Sequence, residues 1–318
     1  MRIVFLGTPV VAVPALEALV DAGHEVGLVV SQPDRPVGRS RTPRPPAVKV
    51  SARALGLAVH QPRRVRDDAF RDCLEAVRPD VLVVVAYGRI LPAAVLQSTR
   101  LGAINVHFSL LPSYRGAAPV QWALARGEQE TGVTTMQMSE GLDEGDVLGT
   151  VSLAVARDEH APALAGRLAV VGARLLVTTL VQAATGSLVP HPQDDARATF
   201  APRLTRADGE IDPALSAREI EGRIRGFDPW PGVWLAREGR RIRLVSGHAE
   251  REIRETAGPR PGEIVVEGGR VFMGCGGGTR LRIDAIQPEG RRVLAARDAV
   301  NGRQLVAGDR LRGARGAG

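Results

Sequence analysis

The sequence predicts an α/β protein: a doubly wound, mostly parallel sheet domain followed by a small C-terminal β-barrel or sandwich domain. Three observations predict it. The first 150 residues alternate short β-branched runs with segments of helical apolar spacing, the pattern of a sheet covered by helices on both faces. "VLVVVAY" at 81–87 is apolar throughout, as a doubly covered parallel strand must be. Beyond residue 230 that alternation gives way to short candidate strands punctuated by Gly and Pro, which reads as an all-β unit.

Taken in order, "RIVFLG" and "EVGLVVS" are strands flanking "PVVAVPALEALVDAG", whose apolar residues recur at helical spacing. "LAVHQ", a helix-like "DDAFRDCLEAVRP", then "VLVVVAY", "GAINVHFS" and "GVTTMQMS" complete the first sheet. Residues 161–185, "APALAGRLAVVGARLLVTTLVQAAT", read as one long helix closed by Gly186. The following "SLVPHPQDDARATFAPRLTRADG" is polar, turn-rich and without sustained period, hence a connector. "VWLAR", "RIRLVSG", "GEIVVEGG", "RVFMG" and "TRLRIDAIQ" supply the β-unit. The expected boundaries are 1–188 for the sheet domain, 189–208 for the linker and 209–318 for the β-domain.

The start "MRIVFLG" reads as a strand rather than a signal peptide, and no run approaches the ~18 apolar residues of a membrane span. Cys73 and Cys275 lie far apart, which fits a reducing compartment and offers no CxxC metal site. The expectation is a cytoplasmic monomer with no membrane partner and no metal.

Net charge of +7 and a pI near 10.6 favour a polyanionic partner. The positive residues concentrate between 31 and 53, where Arg35, Arg39, Arg41, Arg44, Lys49 and Arg53 face a single acid, Asp34, in a loop broken by prolines and Gly38. Residues 204–318 carry 21 arginines against 16 acids, a balance suited to phosphate-backbone contact. Charge alone leaves a merely solvated basic surface equally open. "LGTPVV" after the first strand lacks the second and third glycines of G-x-G-x-x-G, so a dinucleotide site is not indicated. "GCGGGT" at 274–279 lacks the Lys-Ser/Thr ending of a phosphate loop and reads as a turn.

The chemistry concentrates in "LGAINVHFSLLPSYRGAAPVQW" at 101–122. On a strand, positions i and i+2 share a face, so Asn105 and His107 project side by side. Buried polar groups cost ~1–3 kcal/mol unless bonded, which makes this pair a poor core and a good site. The segments 83–92, 105–119 and 139–148 each follow an expected strand, so all three loops are expected to open on one side. They bring an amide, an imidazole and a choice of acids, Asp143, Glu144 or Asp146. A carboxylate can hold one histidine tautomer, and an amide can bind a developing oxyanion. No nucleophilic cysteine or elbow serine is evident. The set suits acyl transfer by direct attack of the substrate's own nucleophile.

"NVHxSLLPxYRGAAP", preceded by "AYGxILP" and followed by "TGVTxMQMxxGLDxGD", resembles the pattern of the folate-dependent formyltransferases. "FLGTP", "SQPDRPVGRS", "FAPRLTRADGEID" and "IRGFDPWPGVW" extend the resemblance over nearly the entire chain, to the branch acting on methionyl initiator tRNA. The resemblance implies a Rossmann-like formyltransferase domain and an OB-like barrel. It also implies 10-formyltetrahydrofolate as formyl donor and the α-amine of methionyl initiator tRNA as acceptor. Asn105, His107 and Asp143 then match the catalytic three. Ser109, Leu110, Leu111 and Pro112, with Tyr87, Gly88, Arg89, Ile90 and Leu91, match the folate pocket. Arg35, Arg39, Arg41, Arg44 and Lys49 match the tRNA-binding insertion, Arg39 holding the place that wedges into the acceptor stem. Phe108 departs from the small residue usual there; it is expected to point away from Asn105 and His107. An enzyme acting on a sugar-nucleotide amine is the nearest alternative, although it usually carries Arg where Ala117 stands. A nonenzymatic tRNA-binding protein leaves the Asn–His pair without a role.

Overall fold

The computed structural model describes residues 1–36, 42–250 and 259–313. The chain divides into two compact units. One comprises Met1–Pro119, Glu130–Ala154 and Ala165–Pro202; the other comprises Val120–Gln129, Val155–Leu164 and Arg203–Gly318.

The first unit holds strands β1 (Arg2–Gly7), β2 (Glu25–Val30), β3 (Arg35–Pro36), β4 (Pro43–Arg44), β5 (Val59–His60), β6 (Val81–Val85), β7 (Ala103–His107), β8 (Glu130–Gln137) and β9 (Val147–Ala154). Its helices are α1 (Val13–Asp21), α2 (Ala47–Ala54), α3 (Asp68–Val77) and α4 (Ala93–Leu96). Helix α5 (Pro119–Ala125) begins at its boundary, and most of α6 (Ala161–Thr185) belongs to it. A seven-stranded sheet runs in the order β5-β2-β1-β6-β7-β8-β9. The first five are parallel, and all five residues of β6 are buried. This is the doubly wound arrangement the alternation predicts.

Strand β8 departs from it. It pairs antiparallel with β7, His107 opposite Thr134 and Ile104 opposite Gln137, and β9 pairs antiparallel with β8. The carboxyl end of β8 therefore lies beside the start of β7, not its end. The loop carrying the acids thus leaves from the far end of the sheet, contrary to the sequence expectation, and has to return to reach His107.

Side chains on β7 alternate as expected. A Cβ at Gly172 of α6 would lie 2.9 Å from Val106, 3.1 Å from Val133 and 3.6 Å from the Phe108 ring. Val106 and Phe108 thus turn toward α6, the face opposite Asn105 and His107. Helix α6 has 25 residues and is long and apolar enough, by length and composition alone, to cross a membrane. Arg167 and Arg174 interrupt its apolar sequence. Its Leu168, Ala169, Ala173, Leu176 and Leu180 are buried, and Thr179 meets Thr135 of β8 at 2.8 Å between hydroxyls.

The second unit contains α7 (Ala217–Gly226), strands β10 (Val233–Arg237), β11 (Arg240–Ala249), β12 (Ile264–Glu267), β13 (Arg270–Gly274), β14 (Arg280–Pro288) and β15 (Leu294–Ala295), and α8 (Ala296–Asn301). The sheet is antiparallel, in the order β10-β11-β14-β13-β12, with β15 beside β14. Its two edges are joined by one segment: Arg312 bridges Ala236 of β10, and Arg310 bridges Glu263 just before β12. Pairing both edges in this way removes the open strand groups that invite aggregation. A capping box between Ser216 and Glu219 starts α7, satisfying donors that a helix leaves free. Gly222 lets α7 approach α5 closely: a Cβ there would lie 2.7 Å from the Leu124 carbonyl.

The two glycines of α6 should respond in opposite ways. Gly166 has nothing within 4 Å of an added Cβ, so Gly166→Ala should stabilise by up to ~1 kcal/mol through helix propensity. Gly172→Val should destabilise by ~1–3 kcal/mol through overpacking against β7 and β8. Chemical denaturation of the two variants checks both signs.

Candidate active site

At the end of β7, Asn105 and His107 share one face, and both are buried, at 9% and 5% exposure. The His107 ring is held on two sides. Its Nε2 lies 2.9 Å from the Tyr114 carbonyl oxygen, and its Nδ1 lies 3.6 Å from Asp143 Oδ2. A carbonyl only accepts, so Nε2 is the nitrogen that carries a proton. That leaves Nδ1 facing Asp143. The Asn105 side chain makes no hydrogen bond to another described residue, so its amide is free for a ligand. Of the three candidate acids, Asp143 is the one in contact with His107.

The carboxylate comes from the returning loop after β8. Gly116 N–H donates to Asp143 Oδ2 at 2.8 Å, and Gln193 Nε2 donates to the carbonyls of Asp143 at 2.9 Å and Gly145 at 2.7 Å. Three non-glycine residues here occupy left-handed backbone: Ala86 at φ 47°, Tyr114 at φ 63° and Asp143 at φ 52°. Such conformations cost on the order of 1–3 kcal/mol and persist where surroundings over-determine them. For Tyr114 and Asp143 the surroundings are the stretch after α6, read from sequence as a connector. Tyr114 N–H donates to Thr199 Oγ1 at 2.9 Å, Arg115 N–H to the Thr199 carbonyl at 2.8 Å, and Ala201 N–H to the Arg115 carbonyl at 2.8 Å.

The expected folate segments sit beside this centre, with their side chains partly committed. Ser109 is fully buried, its hydroxyl donating to the Ser113 carbonyl. Leu110 packs where Gly132 of β8 leaves room, a Cβ there falling 2.5 Å from its methyl. Leu111 N–H donates to Thr134 Oγ1, and Pro112 follows a cis peptide bond. Tyr87 is buried with an unpartnered hydroxyl, while its carbonyl accepts from Thr8 and Gln32. Burial holds the Tyr87 phenol above its usual range. Arg89 is tied to Gln32 and to the carbonyls of Pro62 and Arg63. Gly88 is exposed at φ 80°, Ile90 is 77% exposed and Leu91 is buried. A cavity of about 540 Å³ lies between α4 and the residues after β8, lined among others by Leu96, Gln97, Met138, Ser139 and Glu140. The Ser139 hydroxyl is buried without a partner. The cavity lining is mixed, with Ala93, Leu96 and Met138 beside Gln97, Thr99, Gln137 and Glu140.

Residues 1–180 match the formyl transferase family model, and residues 203–304 match that of the formyl transferase C-terminal domain. The chain belongs to the formyl transferase family. Methionyl-tRNA formyltransferase of Acidobacterium capsulatum is 48% identical over 98% of this chain and 99% of its own length. The enzyme of the same name from Anaeromyxobacter dehalogenans is 50% identical over 95% of this chain and 97% of its own. Among solved structures, an N-formyltransferase from Helicobacter canadensis, in complex with folinic acid and dTDP-3-aminofucose, aligns with TM-score 0.67 over 91% of this chain and 99% of that one. At 14% identity, that likeness concerns the fold.

In the basic loop, Arg35 and Arg44 are exposed and stand directly opposite each other across the β3–β4 ribbon. Arg39 and Arg41 lie outside the described residues. Lys49 departs from expectation. It is 8% exposed, and its ammonium donates to both Asp34 oxygens at 2.8 Å and to Gln61 at 2.7 Å. The hydrogen bonds from Lys49, and then from Gln61, hold the Asp34 carboxyl below the usual carboxylate range. Lys49 therefore anchors the root of the loop and does not present its charge to a phosphate.

Gln193 and Thr199 escape the sequence reading because single polar residues in a turn-rich stretch carry no period, and Arg115, though inside the quoted "YRGAAP", is given no role there. Gly116 is the traceable signal: only a residue without Cβ fits φ 125° with the Ala201 carbonyl 2.6 Å from that position. Gly116→Ala should displace the N–H that holds Asp143 and lower turnover at least tenfold while the far-ultraviolet circular dichroism stays unchanged. Steady-state kinetics beside the spectrum checks this.

Proposed function

We propose that the chain transfers the formyl group of 10-formyltetrahydrofolate to the α-amino group of methionyl initiator tRNA, in the cytoplasm. The observation that carries this reading is the 48–50% identity to methionyl-tRNA formyltransferases across almost the whole of both chains. It extends through the C-terminal unit and not only through the catalytic sheet, and that unit is where amine acceptors of different size are to be told apart.

The donor supplies an activated one-carbon unit at the formyl carbon. The neutral methionyl amine attacks that carbon, forming a new C–N bond and placing negative charge on the formyl oxygen. Asn105 Nδ2–H and His107 Nδ1–H donate to this oxygen, while Nε2 stays bonded to Tyr114. Asp143 faces the protonated ring and takes part in moving the proton lost by the amine to the departing folate nitrogen. The C–N bond to folate then breaks, giving N-formylmethionyl-tRNA and tetrahydrofolate. The unpartnered Asn105 amide supports this assignment, since an oxyanion donor has to be free beforehand. The folate lies along Tyr87–Leu91 and Ser109–Pro112, and the backbone of those loops serves as its recognition edge.

Arg35 and Arg44 bind the tRNA. Like charges directly opposed across a ribbon are destabilising, and a phosphate between them reverses the sign. Arg39 and Arg41 belong to the same contact by sequence.

Radiolabelled formyl transfer tests the reading. The label should appear on methionyl initiator tRNA and not on an amino-sugar nucleotide; the reverse distribution refutes it. Asn105→Ala and Asp143→Asn should each lower turnover by ~10²–10³ with folding intact. Near wild-type rates in either would remove that residue from the mechanism. Replacing both Arg35 and Arg44 with Ala should raise KM for tRNA several-fold, leave KM for folate unchanged, and flatten the dependence of log KM on log salt by ~1–2.

A further inference from the structure

Gln193 is saturated by partners that fix its orientation. Its Nε2 faces two carbonyl oxygens, of Asp143 and Gly145, and its Oε1 accepts from Arg115 Nε at 3.0 Å and Nη2 at 2.8 Å. Carbonyls only accept and a guanidinium only donates, so the carboxamide cannot be reversed without losing all four bonds. Arg115 is itself 5% exposed, and its Nη2 also meets Asp195 at 2.7 Å. Its chain neighbours are the two backbone groups that touch the catalytic pair. Tyr114 offers the carbonyl that holds His107, and Gly116 offers the N–H that holds Asp143. One side chain from the stretch after α6 therefore ties the aspartate loop to the histidine loop.

We propose that Gln193 is a positioning residue for formyl transfer, acting through Asp143. It holds the Asp143 backbone at φ 52°, and with it the carboxylate 3.6 Å from His107. The loop needs such a tether because it enters from the end of β8 that lies away from His107. Strands β8 and β7 hold the loop at its two ends, where Gln137 N–H donates to the Asp146 carbonyl and Met138 N–H to the Ala103 carbonyl, each at 2.8 Å. This inference rests on the proposed function, because it assigns Asp143 a part in the transfer.

The test compares Gln193→Ala and Gln193→Glu in the full chain, alone and combined with Asp143→Asn. Gln193→Glu keeps the shape but sets an oxygen where two carbonyls require a donor. Each single variant should lower kcat 10–100-fold, with KM for folate and tRNA within threefold of wild type and the melting temperature nearly unchanged. In the Asp143→Asn background, single-turnover measurements should find less than a twofold further loss, since the residue acts through the group already removed. A kcat within twofold of wild type in the single variants overturns the proposal. So does an equal fold-loss in both backgrounds, which would make Gln193 a general structural support. Wild-type chain that formylates methionyl-tRNA while the variants behave in either of those ways defeats this inference alone. Wild-type chain without formyl transfer defeats the proposed function and the inference together.

Discussion

A buried imidazole between two oxygen acceptors is the constraint around which the first unit is arranged. His107 Nε2 is committed to the Tyr114 carbonyl, which leaves Nδ1 as the nitrogen that faces Asp143. In a low-dielectric setting, an unpaired polar group is costly and a well-placed one is strong. The arrangement is thus useful only if three separate pieces of chain arrive in register. Strand β7 supplies two of the groups by simple alternation, the turn after it supplies the carbonyl, and a loop from the opposite end of the sheet supplies the carboxylate.

That convergence carries a local cost. Tyr114 and Asp143 sit in left-handed backbone without being glycine, each at on the order of 1–3 kcal/mol. The stretch from Gln193 to Ala201 offsets it with hydrogen bonds to both loops. A segment with no regular secondary structure of its own along most of its length thereby holds both loops in place. The basic loop follows a similar logic at its root, where Lys49, Asp34 and Gln61 satisfy one another and leave Arg35 and Arg44 outward.

Much of this is legible in the chain. The apolar runs of β1 and β6 announce a doubly covered sheet, and the spacing of Asn105 and His107 places both on one face. Asp143 is separable from Glu144 and Asp146 only by the motif "GLDEGD", since spacing treats the three acids alike. The direction of β8 is not legible, because "GVTTMQMS" has the same composition whichever way it pairs. Its buried Thr134 and Thr135 find partners in the Ser109 carbonyl and the Thr179 hydroxyl, contacts that no local pattern encodes. Lys49 misleads for a related reason: a cation in a basic stretch looks solvent-directed until the one nearby acid is seen to claim it. Gln193 is invisible for the opposite reason, being an ordinary polar residue whose importance lies wholly in four long-range bonds.

The most direct test of this account is the protonation pattern of the His107 ring, read from nitrogen-15 chemical shifts of the full chain labelled at histidine. The account predicts that the neutral ring carries its proton on Nε2, held by the Tyr114 carbonyl, with Nδ1 bare on the side of Asp143. A neutral ring protonated at Nδ1 and bare at Nε2 would contradict it, because Nε2 could not then donate to the Tyr114 carbonyl.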